Sequence, residues 1–557
     1  MGQKNKISMM ILMLDHQDQY VDLDAMLDIP PNEIKTRIAF DSPWWGLTDD
    51  AEAARVWRKR VDSWLERAFL DGFVALVTLR TVNRAPVLMG PRRVGKTVLL
   101  HQTAARLIDR GVDPRRILYV SIDNPVYVGL GLERFLTYFR EIHGHGTTDD
   151  LYLLFDEVQY LKDWERHLKS VVDSYPSMRF IVSGSAAAAL KAKSAESGAG
   201  RFSDFLLPPL TFPEFLDFRR VPRDADHDRL NAELVDYVNF GGFPETVLAE
   251  DIRHNMSQFV ANDVIDKVLL RDLPSLYGIR DQNDLKRLFS VIAYNTGQEV
   301  DLYGLSKQSG VTKNTLRSYL EFLEAAFLVH RLHRVDASAK RFRRATTFKV
   351  YLANPSLRAA LFGEVLADDP KFGFMAETAF AAHAAASGDW RDYYYARWKD
   401  GEVDFVKLSS DLSSVVAAFE LKWSDRSTKH LLAASPQLVP FIERNGVFFS
   451  YLLARSGSQL MEITPDDGEG EIVGPAASNS WAGNRADAPS GVNLLRTPLS
   501  LYLANRSDIS PFLTEGSRCL VDQHDVLLTR RTADRSLSDR WSDPIRLSIR
   551  DVFAKQE

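Results

Sequence analysis

Short apolar runs, each bounded by polar or small residues, recur through the first half of the chain. They cover residues 86–89, 117–122, 151–155 and 178–182. Runs of this length are typical of strands that are buried on both faces, as in a parallel sheet between helices. Segments with helical spacing, such as Leu132–Ile142, separate the runs. The pattern therefore predicts an α/β domain with a mostly parallel sheet.

The first of these strands leads into a glycine-rich turn with the pattern G-x-x-x-x-G-K-[ST], and a helical pattern follows. The two glycines allow the backbone to turn its N–H groups toward phosphate oxygens, and the helix adds its positive amino end. Lys96 is expected to neutralise the β and γ phosphates of ATP, and the Thr97 hydroxyl to hold Mg²⁺. The expected nucleotide-binding residues are Gly90, Pro91, Arg92, Arg93, Val94, Gly95, Lys96 and Thr97.

Two adjacent carboxylates follow the apolar run at residues 151–155. Asp156 is expected to hold Mg²⁺ through water, and Glu157 to polarise the water that attacks ATP. Open α/β sheets bind their ligands at the carboxyl ends of strands, which favours this interpretation. The alternative is an ordinary strand followed by an acidic helix cap. Lys96 and Glu157 are therefore the predicted catalytic residues of an ATPase site.

The run at residues 178–182 ends in a serine-glycine-serine turn, and Arg201 follows a stretch of small residues. In P-loop ATPases with an additional strand, a polar residue at this strand end senses the γ-phosphate, so Ser185 or Ser183 is a candidate. A turn without any such role fits the sequence equally well. Arg201 is predicted to reach a phosphate in its own chain or in a neighbouring subunit, and a plain surface arginine is the alternative.

A run of short helices and a hairpin is predicted between residues 283 and 355. The predicted helices and strands are Asp284–Ala293, Leu305–Gln308, Thr312–Ala325, Val329–Leu332 and Phe348–Leu352. Thr312 is the expected N-cap of the third helix, and the whole outline is that of a winged helix-turn-helix. Lys313, Asn314, Arg317 and Ser318 on the third helix and the basic hairpin tip at 340–344 are expected to contact duplex DNA. The alternative is a module that only packs domains together.

A second group of chemically active residues lies in the C-terminal half. Alternation along a strand at 415–422 places Glu420 and Lys422 on one face, and a neighbouring strand can bring Asp404 beside them. Asp404 and Glu420 are predicted to hold Mg²⁺, with Glu377 from a preceding helix completing the ligand set. Lys422 is the predicted catalytic lysine, which positions water or offsets charge on a phosphodiester. The alternative is a nuclease-like scaffold that cleaves nothing.

Composition limits the classes of protein that fit. With 557 residues the chain is too long for one core, and 45% hydrophobic and 26% charged residues are ordinary for a soluble protein. A net charge of −6 gives no overall attraction to nucleic acid, so DNA contact depends on local patches. A single cysteine, Cys519, excludes an intramolecular disulfide and a four-cysteine zinc site. No apolar run reaches the length of a signal segment or a membrane span, so a cytoplasmic protein without membrane contact is expected.

The order of these motifs resembles that in the bacterial and archaeal AAA-type ATP-binding proteins. These carry a C-terminal domain of unknown function (DUF 4143 type) with a restriction-endonuclease-like fold. The motifs that carry the resemblance are GPRRVGKT, FDEVQ, Gly200-Arg201, LLPPLTFPEFL, YVNFGGFPE and DVIDKVLLRDLPSLYGIRD. The resemblance extends over roughly residues 80–451 and implies that Asp404, Glu420 and Lys422 occupy the positions of the D…(E/D)xK nuclease core.

The predicted organisation has seven segments. They are an arm (1–50), a P-loop ATPase domain of the additional-strand type (51–220), a helical lid or connector (221–282), a winged-helix module (283–355), a restriction-endonuclease-like domain (356–455), a linker (456–490) and a small β-rich module (491–557). The predicted function is an Mg²⁺-dependent, AAA-like ATPase whose nucleotide state controls a C-terminal half that acts on DNA. The alternative is an ATP-binding regulatory protein with an inactive nuclease-like scaffold.

ATP and Mg²⁺ are the expected ligands, while duplex DNA, a partner protein and a second copy of the chain are left open as partners. A small-molecule kinase shares the P-loop and is a third alternative. It explains neither the winged-helix outline nor the E-x-K strand.

Overall fold

The structure is a computed structural model of the 557-residue chain. It describes residues 29–184, 200–279, 281–341, 347–399, 401–426, 435–447, 449–455, 459–463, 470–472, 492–505, 517–521, 525–530 and 545–548.

Five parallel strands and their helices form the first domain. The strands are β1 (Ala85–Met89), β2 (Ile117–Ser121), β3 (Tyr152–Asp156), β4 (Arg179–Gly184) and β5 (Phe202–Leu206). The helices before residue 220 are α1 (Pro31–Asp41), α2 (Glu52–Ser63), α3 (Leu70–Thr78), α4 (Lys96–Asp109), α5 (Leu132–His143), α6 (Trp164–Ser174) and α7 (Phe212–Phe218). The strand order is β2-β3-β4-β1-β5, and every residue of β1, β3 and β4 is buried. The α/β domain with a parallel sheet is therefore confirmed.

Residues 29–49, the described part of the arm predicted at 1–50, are packed against the first domain. Residues 1–28 lie outside the described part of the chain. After α1, a short 3₁₀ helix carries Trp44 and Trp45, both of which are buried. Both indole nitrogens donate to Ile117 O on β2, at 2.9 and 2.7 Å. Two large aromatic side chains with satisfied N–H groups hold this segment against the sheet.

The segment between α2 and α3 is not helical, because α2 ends at Ser63 and α3 begins at Leu70. Arg67 lies in the break and is 4% exposed. Its guanidinium donates to Val94 O at 2.6 Å, to Pro208 O at 2.9 Å and to a carboxylate. These bonds to distant segments outweigh the intrahelical bonds that a continuous helix would make.

Irregular helices connect the first domain to the rest of the chain. They are α8 (His227–Phe240), α9 (Pro244–Leu248), α10 (Glu250–His254), α11 (Met256–Phe259), the π-helical segments Val260–Asp266 and Val268–Asp272, and α12 (Leu273–Tyr277). The apolar side chains of Val260, Val264, Ile265, Val268 and Leu269 belong to a core that the first domain shares with residues between 285 and 360. Leu230 and Tyr237 of α8 belong instead to the core around Phe380. The connector at 221–282 is thus divided between two cores.

The second half of the chain is built on one ten-stranded sheet. Its strands are β6 (Glu299–Asp301), β7 (Val329–Val335), β8 (Thr347–Leu352), β9 (Tyr393–Trp398), β10 (Gly401–Leu408), β11 (Val415–Lys422), β12 (Phe449–Ala454), β13 (Gln459–Ile463), β14 (Gly470–Ile472) and β15 (Val492–Pro498). The helices are α13 (Gln282–Tyr294), α14 (Leu302–Ser309), α15 (Lys313–Ala325), α16 (Ser356–Phe362), α17 (Phe372–Ala386), α18 (Leu438–Asn445) and α19 (Leu499–Asn505). The strand order is β14-β13-β15-β12-β11-β10-β9-β7-β8-β6.

This sheet crosses three of the expected domain boundaries, at residues 355, 455 and 490. At residue 355 it is continuous, because β7 pairs in parallel with β9. The separation of a linker at 456–490 from a module at 491–557 is also corrected, because β15 pairs in parallel with β12 and antiparallel with β13. The strands β16 (Ser517–Val521), β17 (Asp525–Arg530) and β18 (Ile545–Ser548) form a sheet of their own. Within the described ranges, no helix is long and apolar enough to cross a bilayer.

Candidate active sites

The loop after β1 depends on glycine at two positions. A Cβ on Gly90 would lie 2.1 Å from Leu207 O, which follows β5, so no side chain fits there. Gly95 has a φ of +96° and stands at the amino end of α4, a backbone conformation that favours glycine. The first N–H groups of α4 and its dipole therefore face the interior of the loop.

Lys96 is the first residue of α4 and is 5% exposed. Its Nζ donates to Gly90 O at 3.0 Å and to Pro91 O at 2.7 Å, so the ammonium group lies within the curve of the loop. Burial lowers the pKa of Lys96, whereas the carboxylates of Glu157 and Asp156 act in the opposite direction. A cationic group in this position is suited to bind phosphate oxygens.

Asp156 at the end of β3 is the centre of a hydroxyl cluster and is 1% exposed. Thr97 Oγ1 donates to Asp156 Oδ2 at 2.6 Å, Tyr119 OH donates to the same oxygen at 2.9 Å, and Ser183 Oγ donates to Oδ1. Oxygen ligands from a carboxylate and a hydroxyl fit Mg²⁺, which prefers such donors. Tyr119 was not predicted as a site residue, and its place in the apolar run at 117–122 gave only a weak signal. Ser185 lies outside the described residues.

Glu157 follows Asp156 and has a φ of +54°. Its backbone N–H donates to Ser183 Oγ at 3.2 Å and to Asp156 Oδ1 at 3.1 Å, which supports this unusual backbone conformation. The carboxylate accepts a hydrogen bond from Gln159 Nε2. Burial raises the pKa of Glu157, and the charge of Lys96 opposes that shift. A carboxylate with a raised pKa is a stronger proton acceptor than an ordinary surface glutamate.

A buried ion pair between Arg67 and Glu214 stabilises the loop after β1. Arg67 Nε donates to Glu214 Oε1 at 2.7 Å, and the two side chains are 3% and 2% exposed. Glu214 is residue N3 of α7 and forms a capping box with Thr211. The T-x-x-E spacing in LTFPEFL signals this capping box, but nothing in the sequence pairs Glu214 with Arg67.

Arg201 does not reach the nucleotide site of its own chain, which corrects that part of the prediction. It precedes β5, and its carbonyl accepts from Ala85 N at the amino end of β1. The loop at Gly90 follows the opposite end of that strand, about 13 Å or more away at the usual rise per residue. Arg201 Nε pairs with Asp173 at 2.6 Å. The role in a neighbouring subunit stays a prediction.

The side chains of the two loop arginines pair with carboxylates from the connector. Arg92 pairs with Asp272, and Arg93 pairs with Glu245 and Asp263.

The second site brings together Asp404, Glu420 and Lys422 on β10 and β11. Lys422 Nζ lies 2.7 Å from Glu420 Oε1 and 3.7 Å from Asp404 Oδ2. Ser435 Oγ donates to Glu420 Oε1 at 2.6 Å, and Leu421 N donates to Asp404 Oδ2 at 2.9 Å. Glu420 Oε2 is buried and has no hydrogen-bond partner among the described residues. The predicted strand pairing therefore places all three side chains in one cluster.

The predicted metal ligand set of Glu377, Asp404 and Glu420 is not formed, because Lys349 lies among the carboxylates. Lys349 Nζ is 3.6 Å from Glu377 Oε2, 3.8 Å from Asp404 Oδ1 and 2.7 Å from Glu402 Oε1. In the part of the chain that the structure describes, no three His, Cys, Asp or Glu side chains form a group that could hold a metal ion. Lys349 was not predicted as a site residue. Its position as the single charged residue in the otherwise mostly apolar strand TFKVYL could have indicated it.

Burial strongly affects the acids of this second site. It raises the pKa of both Glu377 and Glu420 to about 7, although nearby lysines oppose the shift. Tyr351 OH donates to Glu377 Oε2 at 2.9 Å. An open groove of about 690 Å³ reaches Glu377 and Lys422 from the surface. The site is therefore accessible from solvent although most of its charged groups are buried.

Comparisons with known proteins identify two regions of the chain. Residues 82–216 match the family described as AAA domain, and residues 231–367 match a domain of unknown function (DUF8612). An uncharacterized protein of Haemophilus influenzae is 24% identical over 64% of this chain and 88% of its own, and one of Mycobacterium tuberculosis is 29% identical over 62% and 71%. The DUF 4143 type expected from the motifs stays a prediction.

Among solved structures, the Holliday junction branch migration motor RuvB of Thermotoga maritima is 19% identical, with a TM-score of 0.26 over 48% of this chain and 91% of that one. The replication initiator DnaA bound to AMPPCP and single-stranded DNA is 14% identical, with a TM-score of 0.25 over 47% and 91%. Similarity at this level adds nothing to what the sheet order and the matched family show. Residues 82–216, which hold the glycine-rich loop and Asp156, are therefore the part of the chain that is similar to the AAA domain family.

Proposed function

We propose that the protein is an Mg²⁺-dependent ATPase whose nucleotide state controls the C-terminal half of the chain. The observation that carries the proposal is the 2.6 Å hydrogen bond between Thr97 and Asp156 at the mouth of the loop that encloses Lys96. The AAA domain match over residues 82–216 supports the same reaction.

Each residue of this site has a proposed role. The loop N–H groups and Lys96 bind the β and γ phosphates, and Thr97 and Asp156 hold Mg²⁺. The ion, when bound, neutralises phosphate charge that develops during hydrolysis. Glu157 orients the attacking water and accepts its proton. Ser183 is the favoured γ-phosphate sensor, because it lies on β4, the additional strand between β1 and β3. Its Oγ donates to the Asp156 carboxylate and accepts from the backbone N–H of Glu157.

Separate measurements of ATP binding and ATP hydrolysis distinguish the role of Lys96 from that of Glu157. Lys96→Ala is expected to abolish saturable binding of a fluorescent ATP analogue, whereas Glu157→Gln is expected to bind ATP and to hydrolyse it at least a hundredfold more slowly. Lys169→Ala, an exposed lysine on α6, is the matched control and should behave as wild type. Chelation of Mg²⁺ should stop hydrolysis. Wild-type protein that binds no nucleotide, or a Lys96→Ala variant that binds it normally, would contradict the proposal.

For the C-terminal half, we propose contact with duplex DNA through α15. Thr312 caps this helix by accepting from Thr315 N, and Lys313 and Arg317 are exposed near its start. Basic side chains at the start of such a helix suit contact with phosphates or base edges. The hairpin tip at 340–344 contributes less support, since residues 342–344 lie outside the described part of the chain.

DNA binding is measured by fluorescence anisotropy with a labelled duplex over a range of salt concentrations. Arg317→Ala should weaken binding and make it less dependent on salt, because one phosphate contact is lost. Lys169→Ala again serves as the control. Equal binding by both variants and wild type would show that α15 is not the contact.

For the second site, the position of Lys349 favours the regulatory alternative, in which the nuclease-like scaffold binds but does not cleave. Its ammonium group neutralises carboxylates that a metal-dependent nuclease keeps for its ion. Labelled DNA incubated with Mg²⁺ or Mn²⁺ should therefore stay intact with wild type and with Asp404→Ala and Lys422→Ala alike. Cleavage by wild type that both substitutions abolish would establish the nuclease instead.

A further inference from the structure

Arg92 is held by an ion pair beside the nucleotide loop. Its Nε and Nη2 donate to the two carboxylate oxygens of Asp272 at 2.7 and 2.9 Å, and Nη2 also lies 3.2 Å from Tyr160 OH. The Asp272 side chain is only 9% exposed. Arg92 follows Gly90 by two residues, and Tyr160 follows Glu157 by three. The guanidinium therefore bridges the phosphate-binding loop and the segment that follows the catalytic carboxylates.

The charges of Arg92 and Asp272 affect the pKa values of the predicted catalytic residues. Burial is the main cause of the lowered pKa of Lys96, and the charges of Arg92 and Asp272 also act on it, the first lowering and the second raising the pKa. The charge of Arg92 likewise lowers the raised pKa of Glu157. Arg92 and Asp272 thus lie within electrostatic reach of the groups that would surround the γ-phosphate.

The carboxylates that hold the loop arginines lie on an unusual part of the connector. Asp272 ends the second of the two π-helical segments, and Asp263, which pairs with Arg93 at 3.0 Å, lies in the first. π-Helical turns are rare and are frequent at functional sites, because their hydrogen-bond pattern is readily rearranged. Two successive segments of this type next to a nucleotide loop are suited to a conformational change.

The same segment contacts the second half of the chain. Asp266, between Asp263 and Asp272, pairs with Lys286 Nζ on α13 at 2.8 Å. Just before the segment, Ser257 Oγ donates to Ala360 O on α16. The first π-helical segment contacts α16 and the second contacts α13, which packs against β8, so a shift of residues 260–272 would act directly on both helices.

A bound triphosphate changes the balance of charges at this point. The planar fork of an arginine binds a phosphate as well as it binds a carboxylate, so a γ-phosphate competes with Asp272 for Arg92. The same phosphate repels the carboxylate. ADP lacks that group and leaves the pair intact.

We propose that Arg92 pairs with Asp272 when ADP is bound and binds the γ-phosphate when ATP is bound. Loss of the ion pair then releases residues 260–272, and their movement transmits the ATP-bound state to the C-terminal half. This inference rests on the proposed ATP binding and goes beyond it, since it adds Arg92 to Ser183 as a residue that distinguishes ATP from ADP and names the route of the signal.

The test compares the dissociation constants of fluorescent ATP and ADP analogues for the full chain in Mg²⁺. Asp272→Asn frees Arg92 and should tighten ATP binding about tenfold relative to ADP. A change of this size corresponds to about one additional charge-assisted hydrogen bond. Arg92→Gln should weaken ATP binding about tenfold relative to ADP. The double variant should match Arg92→Gln, because Asp272 acts only through Arg92. Glu245→Gln, which removes an exposed partner of Arg93, is the control and should leave the ratio unchanged.

The possible results are distinct. If wild type binds neither nucleotide, the ATPase proposal fails and this one with it. If wild type binds both nucleotides and Asp272→Asn changes the ratio no more than Glu245→Gln, only the role of Arg92 is overturned. A second measurement needs no variant: hydrogen exchange of residues 260–273 in wild type should be faster with AMPPNP than with ADP. Equal exchange with the two nucleotides overturns the proposal even if Asp272→Asn does not fold.

Discussion

Replacing Glu214 by glutamine tests how strongly the buried ion pair supports the nucleotide loop. The substitution keeps the shape of the side chain and leaves the Arg67 charge buried without its partner. Removal of one member of a buried pair costs about 3–5 kcal/mol, and Glu214 accepts bonds from Arg67, Ala68 N, Thr211 N and Thr211 Oγ1 as well. Since Arg67 also holds Val94 O within the loop, ATP binding should weaken along with stability.

Asp217 offers a matched control on the same helix, α7. It pairs with Arg223 through two hydrogen bonds, at 3.2 and 2.6 Å, but both side chains are exposed, at 49% and 36%. Asp217→Asn should therefore cost less than about 1 kcal/mol.

The assay is hydrogen exchange of peptides spanning residues 85–100 and 208–218, because local opening is measurable where a multidomain chain has no single free energy of unfolding. Glu214→Gln should accelerate exchange in both peptides by two orders of magnitude or more, which corresponds to about 3 kcal/mol. The pKa of Glu214 is lowered, chiefly by Arg67 against the effect of burial, so wild type should lose this protection as the pH falls below about 4.5. Equal exchange in Glu214→Gln and Asp217→Asn would refute the reasoning.

Three further expectations concern the first domain. Burial lowers the pKa of His101 from 6.5 to about 4, so the folded domain should lose up to about 3 kcal/mol of local stability as the pH falls from 6.5 to 4. His101→Gln should flatten this dependence in hydrogen exchange of peptides from α4, corrected for the intrinsic effect of pH, and an unchanged slope would contradict it. Gly90→Ala should abolish ATP binding and lower the thermal midpoint because its Cβ would collide with Leu207 O, whereas Gly373→Ala, which has open space around it, should change neither; equal midpoints would contradict the packing argument. Trp45→Ala should lower the free energy of local opening by about 3–5 kcal/mol, measured by hydrogen exchange of the peptide 85–121, and a loss below 1 kcal/mol would mean that Trp45 is not part of the core.

Local signals predicted the first domain well. The apolar runs correspond to strands β1 to β4, and the glycine pattern corresponds to the loop that holds Lys96 between two carbonyls. Alternation along one strand placed Glu420 beside Lys422. These features follow from residue spacing within a single element, which is the information that a sequence carries directly.

Contacts between distant segments could not be predicted in the same way. Trp44 and Trp45 have no local periodicity that distinguishes a packed segment from a loose one, and their partner Ile117 is more than seventy residues away. Lys349 lies in an apolar strand, and only the tertiary fold brings it to Glu377 and Asp404. The roles of Arg67 and Arg92 likewise depend on carboxylates that are 147 and 180 residues distant in the chain.

The parallel pairing of β7 with β9 determines how the chain can be divided. A truncated product ending near residue 355 would retain β7 and β8 but expose the β7 edge that His333, Arg334 and Val335 otherwise share with β9. Unprotected edges of this kind recruit strands from other molecules, so such a fragment should form aggregates upon expression. The middle and last thirds of the protein therefore cannot be exchanged separately as cassettes during evolution or protein engineering.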